Sequence, residues 1–211
     1  MGYKHRSNLK SVRRIRRQRW LAVGLVSAAL IGGGVYTLLL TAAPRLQNLP
    51  FQANSWNAPV VFSDGELTGD RLYIPRLKLN ILYKAGDASV LDNAAWHRYP
   101  DRGNPQEGGN FIIAAHRFEI GLTPSETRRK SPFYKIDTLQ LGDKIYADFQ
   151  GKRYVYEVSR KYEVKANQTE IEDRSSDAKM TLYSCTLQGS ADGREVVEAK
   201  RIGEVSPTEL F

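Results

Sequence analysis

Hydrophobic and polar positions divide the chain into three stretches with different periodicities. Between Trp20 and Ala43 there are 24 consecutive residues without a charged side chain, dominated by Leu, Val, Ala and Gly. At about 1.5 Å per residue, roughly 20 helical residues cross a hydrocarbon layer of about 30 Å, so this run predicts a transmembrane helix over 20–43. Gly32-Gly33-Gly34 would weaken a helix in water but is better tolerated in a membrane. A cleaved signal peptide is the competing reading, because Thr41-Ala42-Ala43 is a small-residue stretch; the apolar part of a signal peptide usually runs only about 7–15 residues. Residues 44–69 carry Pro44, Pro50 and Pro59 and no sustained period, and read as a linker or N-terminal arm.

From Asp70 onward the pattern changes to short runs rich in Val, Ile and Tyr, several alternating with polar residues as half-buried strands do. Strands are expected at Arg71–Pro75, Asn80–Tyr83, Asn110–Ala115, Lys144–Phe149, Arg153–Val158, Lys161–Lys165, Met180–Cys185 and Glu195–Ile202. Phe149-Gln150-Gly151-Lys152 predicts a hairpin turn. Short helices are expected near Ser89–Ala95 and Ser131–Leu139, the second opened by Pro132. The predicted class is mainly β, an antiparallel barrel or sandwich over 70–211.

Charge sharpens the first stretch. The 211-residue chain has a formal net charge of +8. Residues 1–19 hold eight Lys and Arg and no acid, which leaves 23 basic and 23 acidic side chains in the remainder. The basicity belongs to the N-terminal tip alone and is explained by the positive-inside rule, with 1–19 cytoplasmic and everything after Ala43 outside the cytoplasm. A nucleic-acid partner is therefore not expected. A single Cys excludes an internal disulfide and a Cys-rich zinc site.

That Cys, Cys185, ends a strand-like run and is followed by the polar loop Thr186–Gly193 and then by Arg194. A cysteine nucleophile needs a base or imidazolium partner and a group that stabilises an oxyanion. His5 lies in the basic tip, on the wrong side of the membrane. His97 lies in a turn-rich segment and reads as a loop residue. His116 directly follows the apolar run Phe111-Ile112-Ile113-Ala114-Ala115, so it too stands at a strand end. A buried, inert Cys185 in a β-domain that only binds is the alternative on pattern alone.

Thr181-Leu182-Tyr183-Ser184-Cys185 followed by Arg194-Glu195-Val196-Val197 resembles the active-site signature of the sortases, a Thr-Leu-x-Thr-Cys strand and an Arg-led strand. Gly109–Arg117, with His116, is similar to the family's His element. Ser131-Pro132-Phe133-Tyr134 with Leu141-Gly142-Asp143-Lys144-Ile145 resembles the family's helix and strand beyond that His. The likeness covers about residues 70–205. Ser184 stands where the family usually has Thr, and Ala115 where Gly commonly precedes the His. The resemblance implies a closed β-barrel of about eight strands with short helices, behind one N-terminal transmembrane helix. It implies a cysteine transpeptidase of the extracytoplasmic membrane face of mainly Gram-positive bacteria, cleaving a Leu-Pro-x-Thr-Gly-like sorting signal. Cys185 would be the nucleophile, His116 the acid and base, and Arg194 the substrate- and oxyanion-binding cation, with the Ser184 hydroxyl a contributor. The implied partners are surface proteins bearing that signal and an amine acceptor on a cell-wall precursor or a pilin. No cofactor and no metal is implied, and no calcium-loop spacing is present. Asp64-Gly65 lacks the Asp-Pro-aromatic lid motif of many pilus-building members, which favours wall anchoring over pilin polymerisation. An L,D-transpeptidase-like cross-linker is a further alternative, but Tyr183-Ser184-Cys185 lacks the Gly usual in its signature.

Overall fold

The computed structural model describes residues 5–45 and 69–205. The arm expected over 44–69 lies almost entirely outside the described residues. Helix α1 (His5–Ala42) contains a stretch, Gln18–Ala42, of mean hydropathy 2.0 that is long and apolar enough to cross a membrane. The Thr41 hydroxyl donates to the Leu38 carbonyl (3.1 Å), which satisfies a polar group inside this apolar run. At its C-terminal end α1 meets the barrel: Ala43 is buried and its carbonyl accepts from Arg128 Nε at 3.4 Å.

Among the described residues nine strands come after the helix: β1 (Arg71–Ile74), β2 (Leu79–Ala85), β3 (Ala95–Arg98), β4 (Gly103–Asn104), β5 (Gly108–Ala114), β6 (Lys144–Phe149), β7 (Lys152–Lys165), β8 (Lys179–Thr186) and β9 (Gly189–Val205). Their order is β3-β2-β1-β6-β7-β9-β8-β5-β4, and β3 pairs back onto β5. That pairing closes an eight-strand barrel and leaves β4 as a short flap, so among the described residues no long edge remains to template another chain. Pairs β2/β3 and β5/β8 are parallel; the others are antiparallel.

The interior is one apolar cluster that includes Leu72, Ile74, Phe111, Ile113, Met180, Leu182 and Val197, all with no exposed surface. A second cluster, Ile112, Ala114, Ile171, Tyr183 and Val196, lies on the opposite face of β5, β8 and β9. It is roofed by the connection from β7 to β8, which side chains tie down. Asn110 Nδ2 donates to the Ile171 and Asp173 carbonyls (3.1 and 2.7 Å), and Thr181 Oγ1 donates to Asn110 Oδ1 (2.6 Å). Strands β5 and β8 are thus buried on both faces for most of their length, which is why their sequences are nearly continuous in apolar and small residues.

The expected strands are present, with adjustments. Arg153–Val158 and Lys161–Lys165 are one strand, β7, interrupted by a bulge between Val158 and Arg160. The hairpin turn at Gln150-Gly151 has both residues at positive φ (49° and 78°), the geometry of the tight turns that suit the strand twist. The short helix expected at Ser89–Ala95 is a 3-10 turn over Ala88–Asp92, and Ala95 opens β3 instead. The helix expected over Ser131–Leu139 is displaced. The α-helix is α2 (Pro124–Lys130), whose N-cap Thr123 accepts from Glu126 N at 3.1 Å. Pro132 disfavours helical backbone at Ser131 and so ends α2; beyond it only Ile136–Thr138 forms a 3-10 turn.

Candidate active site

Strands β5, β8 and β9 bring their chemistry to one edge of the barrel by register. Ala114 stands opposite Tyr183 in the parallel β5/β8 pair, and Tyr183 stands opposite Val196 in the antiparallel β8/β9 pair. The last bond of this parallel ladder runs from Ala115 N to the Tyr183 carbonyl at 3.3 Å. Extended two residues past the end of β5, that register carries His116 toward the Cys185 end of β8, and Cys185 is the register partner of Arg194. Cys185 and Arg194 are thus paired neighbours on adjacent strands, about 4.8 Å apart by strand spacing. His116 stands on the two-residue extension of the strand on the other side, so the three form a row by extended register. Cys185 shares its face with Thr181 and Tyr183, so the row lies on the outer surface of the barrel, continuous with the second apolar cluster.

Cys185 and His116 are both half-buried. Among the described residues no hydrogen bond engages the Cys185 thiol or the His116 ring. The backbone around His116 is fixed by contrast: its carbonyl accepts from Phe133 N at 3.1 Å. The next side chain, Arg117, turns into the mouth of the barrel, where it is 5% exposed. It pairs there with Asp137 (2.9 Å) and, more distantly, with Glu195 (3.9 Å). Burial holds the Glu195 carboxyl above its ordinary range, with Arg117 opposing and Glu163 reinforcing that shift.

Arg194 is held by the loop that precedes it. The β8/β9 pairing slips between Cys185 and Thr186, so that Thr186 faces Gly189 and residues 190–193 bulge outward. Thr186 Oγ1 ties the bulge by donating to Asp192 Oδ2 (2.6 Å). At Gly193 a Cβ would come within 2.6 Å of the Val164 carbonyl, so only glycine lets β9 approach β7 there. The Arg194 guanidinium donates to the Ser190 and Gly193 carbonyls at 2.8 and 2.9 Å, at the edge of the row rather than on the thiol.

A thiol, an imidazole and a guanidinium in one row are the equipment for acyl transfer, and comparison with known proteins points the same way. A family model described as the Sortase domain matches residues 72–202. The chain belongs to the sortase family. Similar solved structures include sortase A of Listeria monocytogenes, 21% identical with a TM-score of 0.55, which covers 64% of this chain and 87% of its own. Sortase D5 of Clostridium perfringens is 24% identical with a TM-score of 0.53 and covers 81% of this chain and 99% of its own. Sortase C1 of Streptococcus agalactiae is 25% identical with a TM-score of 0.55, over 66% and 69%. No curated protein sequence matches this chain significantly. Membership supports a sortase-type transpeptidase function in general terms, and sortases are enzymes of the cell surface.

Two residues of this sortase sit differently from expectation. Ser184 is 2% exposed, its strand parity turns it toward the interior with Leu182, and its hydroxyl donates to the Cys185 carbonyl at 3.2 Å. That burial is at odds with a substrate-touching role; Ser184 lies on the far side of the strand from the thiol. His97 is not a loop residue but part of β3, 4% exposed and packed edge-on against Phe111 (4.8 Å between ring centres). His5 opens α1, and a helix of 38 residues is about 57 Å long, so it lies far from the row.

Sequence reasoning did not foresee the ionic cluster one row below the sortase thiol. The Tyr183 hydroxyl donates to Glu172 and accepts from Arg98 Nη1 (2.7 Å), while Arg98 pairs with Glu172 at 2.8 Å. Burial, with Glu172 alongside, pushes the Tyr183 hydroxyl well above its ordinary range, so it stays protonated as the donor. This cluster fastens the β7–β8 connection over the floor beside Cys185, and a cavity of about 260 Å³ opens next to it, lined in part by Arg98, Tyr99, Arg102 and Glu172. No local motif signals it, because Arg98 and Glu172 meet only when the barrel closes. Among the described residues no three His, Cys, Asp or Glu side chains are grouped to hold a metal.

Proposed function

We propose that this sortase is a membrane-anchored cysteine transpeptidase in which Cys185 is the nucleophile, His116 the acid and base, and Arg194 the cation for the substrate and the developing oxyanion. The reading is supported above all by the Cys185–Arg194 register pair on an outer face of the barrel, with His116 two residues past the end of the adjacent strand β5. Cross-strand neighbours in such a row are within side-chain reach of one another and of a peptide laid along the face.

In this reading the Cys185 sulfur attacks the Thr carbonyl of a Leu-Pro-x-Thr-Gly-like signal, and the thiol proton passes to the His116 ring. The carbonyl oxygen becomes negative, and Arg194 exchanges its two backbone acceptors for it, a stronger charge-assisted hydrogen bond. The C–N bond breaks as His116 returns the proton to the departing amine, leaving a thioester on Cys185. An amine acceptor then attacks, His116 takes its proton, an amide forms, and the sulfur leaves and is reprotonated. The donors are surface proteins carrying the signal, and the acceptor is an amine of a cell-wall precursor or of a pilin. Residues 1–19 lie in the cytoplasm, 20–43 span the membrane, 44–69 form the arm, and 70–211 form the catalytic domain outside.

The test is to incubate the full-length protein with a library of candidate signal peptides and several amines, read by intact mass. An acyl adduct is expected on the wild type and none on Cys185→Ala. An adduct that persists on Cys185→Ala, or no adduct on the wild type with any donor, refutes the assignment.

A further inference from the structure

The loop that hangs from His116 exposes two large apolar side chains, Ile120 (53% exposed) and Leu122 (82%), at its outer turn. Three of its backbone N–H groups are nevertheless satisfied from within. Glu119 N, Gly121 N and Leu122 N donate to the side chains of Ser131 (3.0 Å), Thr127 (3.0 Å) and Glu126 (2.8 Å), and the Leu122 carbonyl accepts from the Tyr36 hydroxyl of α1. An apolar loop with most of its backbone N–H groups already paired suits a lipid surface, where each unsatisfied group would cost several kcal/mol.

Contact with α1 sets the depth. With Trp20 at the inner boundary, about 20 helical residues bring the outer boundary of the hydrocarbon near Leu40, and Tyr36 then lies about 6 Å inside it. Interfacial segments bury their apolar faces about 5–10 Å into the headgroup and acyl boundary. Two further contacts hold α1 and the α2 region together, Arg45 Nε to the Tyr134 hydroxyl (2.9 Å) and Arg128 Nε to the Ala43 carbonyl (3.4 Å). The last turn of α2 is basic (Arg128, Arg129, Lys130), which complements lipid phosphates, while Glu119 is exposed at the base of the loop and marks the limit of insertion.

We infer that the Ile120–Leu122 loop docks into the outer lipid interface beside α1, so that the His116 end of the barrel rests on the phospholipid bilayer. The occupant of this apolar surface is lipid, because the surface is continuous with the spanning helix through Tyr36. The inference rests on the membrane-spanning reading of α1, and the experiment separates the two. In a Cys185→Ala background, which removes the only native thiol, the full-length protein carries one cysteine at a time: Leu122→Cys, Ile120→Cys, Gly33→Cys in the middle of α1, or Ile202→Cys. The last is exposed and eight residues along β9 from Arg194, hence about 26 Å away. Each is labelled with an environment-sensitive fluorophore and reconstituted in vesicles containing nitroxide-labelled phospholipid.

The expected result is quenching at Gly33, Leu122 and Ile120 at least threefold greater than at Ile202. Strong quenching at Gly33 with Leu122 and Ile120 no dimmer than Ile202 overturns the docking and leaves the span intact. No quenching at Gly33 overturns the span, and the docking with it.

Discussion

Two histidines 19 positions apart, one inside strand β3 and one just past the end of its neighbour β5, occupy opposite environments. His97 pairs with Ile113 across β3 and β5 and takes the inward parity; it packs edge-on against both Tyr83 and Phe111, which also touch each other, and its Nε2–H donates to the Gly103 carbonyl at 3.1 Å. His116 lies three residues beyond Ile113, so its parity is outward, and it stands past the strand end beside Cys185 with its ring free of hydrogen bonds among the described residues. In a barrel, odd or even position along a strand decides whether an imidazole is part of the packing or can exchange protons with a bound peptide. The inner ring fills volume and satisfies a carbonyl. The outer ring contributes little to packing and can serve chemistry.

The largest effect that would break this contrast is on turnover. His116→Ala is expected to lower transpeptidation kcat/KM by about 10²–10⁴-fold, the usual worth of a positioned acid and base. Its stability should stay within about 0.5 kcal/mol of the wild type, because little packing is lost at a half-exposed site. Arg194→Ala is expected to cost about 10²–10³-fold, the scale of one lost oxyanion donor. His97→Ala should do the opposite. Emptying the space beside Tyr83 and Phe111 is expected to cost about 3 kcal/mol in denaturant unfolding, with turnover of the folded fraction changed only a few-fold. A His97→Ala enzyme that unfolds like the wild type but has lost its turnover would reverse the assignment of the two rings.

How much of this was legible in the chain varies with the kind of order involved. Local order was readable: β6 has the bounds its alternation predicts, and the Gln150-Gly151 turn follows from its residues. Strand β3 was not, because Ala-Trp-His-Arg hides its inward pair, Ala95 and His97, behind a residue normally read as polar. The signal for α2 is present in Thr123, Pro124 and Glu126, a cap with Pro at the first position. Its seven mostly polar residues carry no apolar stripe, however, and Phe133, Ile136 and Leu139 draw the periodicity downstream into what is a buried turn. At the candidate site the three side chains are recognisable as strand-end residues, yet the row itself depends on parallel pairing of β5 with β8, 69 residues apart in sequence, which no short pattern encodes. The inward turn of Ser184 was equally hidden. With Thr181 and Tyr183 buried on one face and Met180 and Leu182 on the other, strand β8 offers no polar side by which to tell inside from outside.

The smallest predicted effect concerns protonation of the inner ring. Burial lowers the His97 pKa from its ordinary value of 6.5, and the bond to Gly103 and the distant charge of Asp70 offset this only in part. Because the folded value lies below the unfolded one, the unfolded chain takes up the proton first as the pH falls below about 6.5, and stability declines from there toward the folded value. Other groups also titrate in acid, so the informative quantity is the difference between the wild type and His97→Phe, which keeps a ring in the same space and cannot be charged. The phenyl ring forfeits the bond to Gly103, so the variant is expected to be the less stable of the two at pH 8. Between pH 6.5 and 5 that gap should narrow, since only the wild type pays for excluding a proton from its core. Parallel stability curves for the two proteins across this range would mean that His97 admits the charge as readily as the unfolded chain does, and the contrast with His116 would then rest on geometry alone.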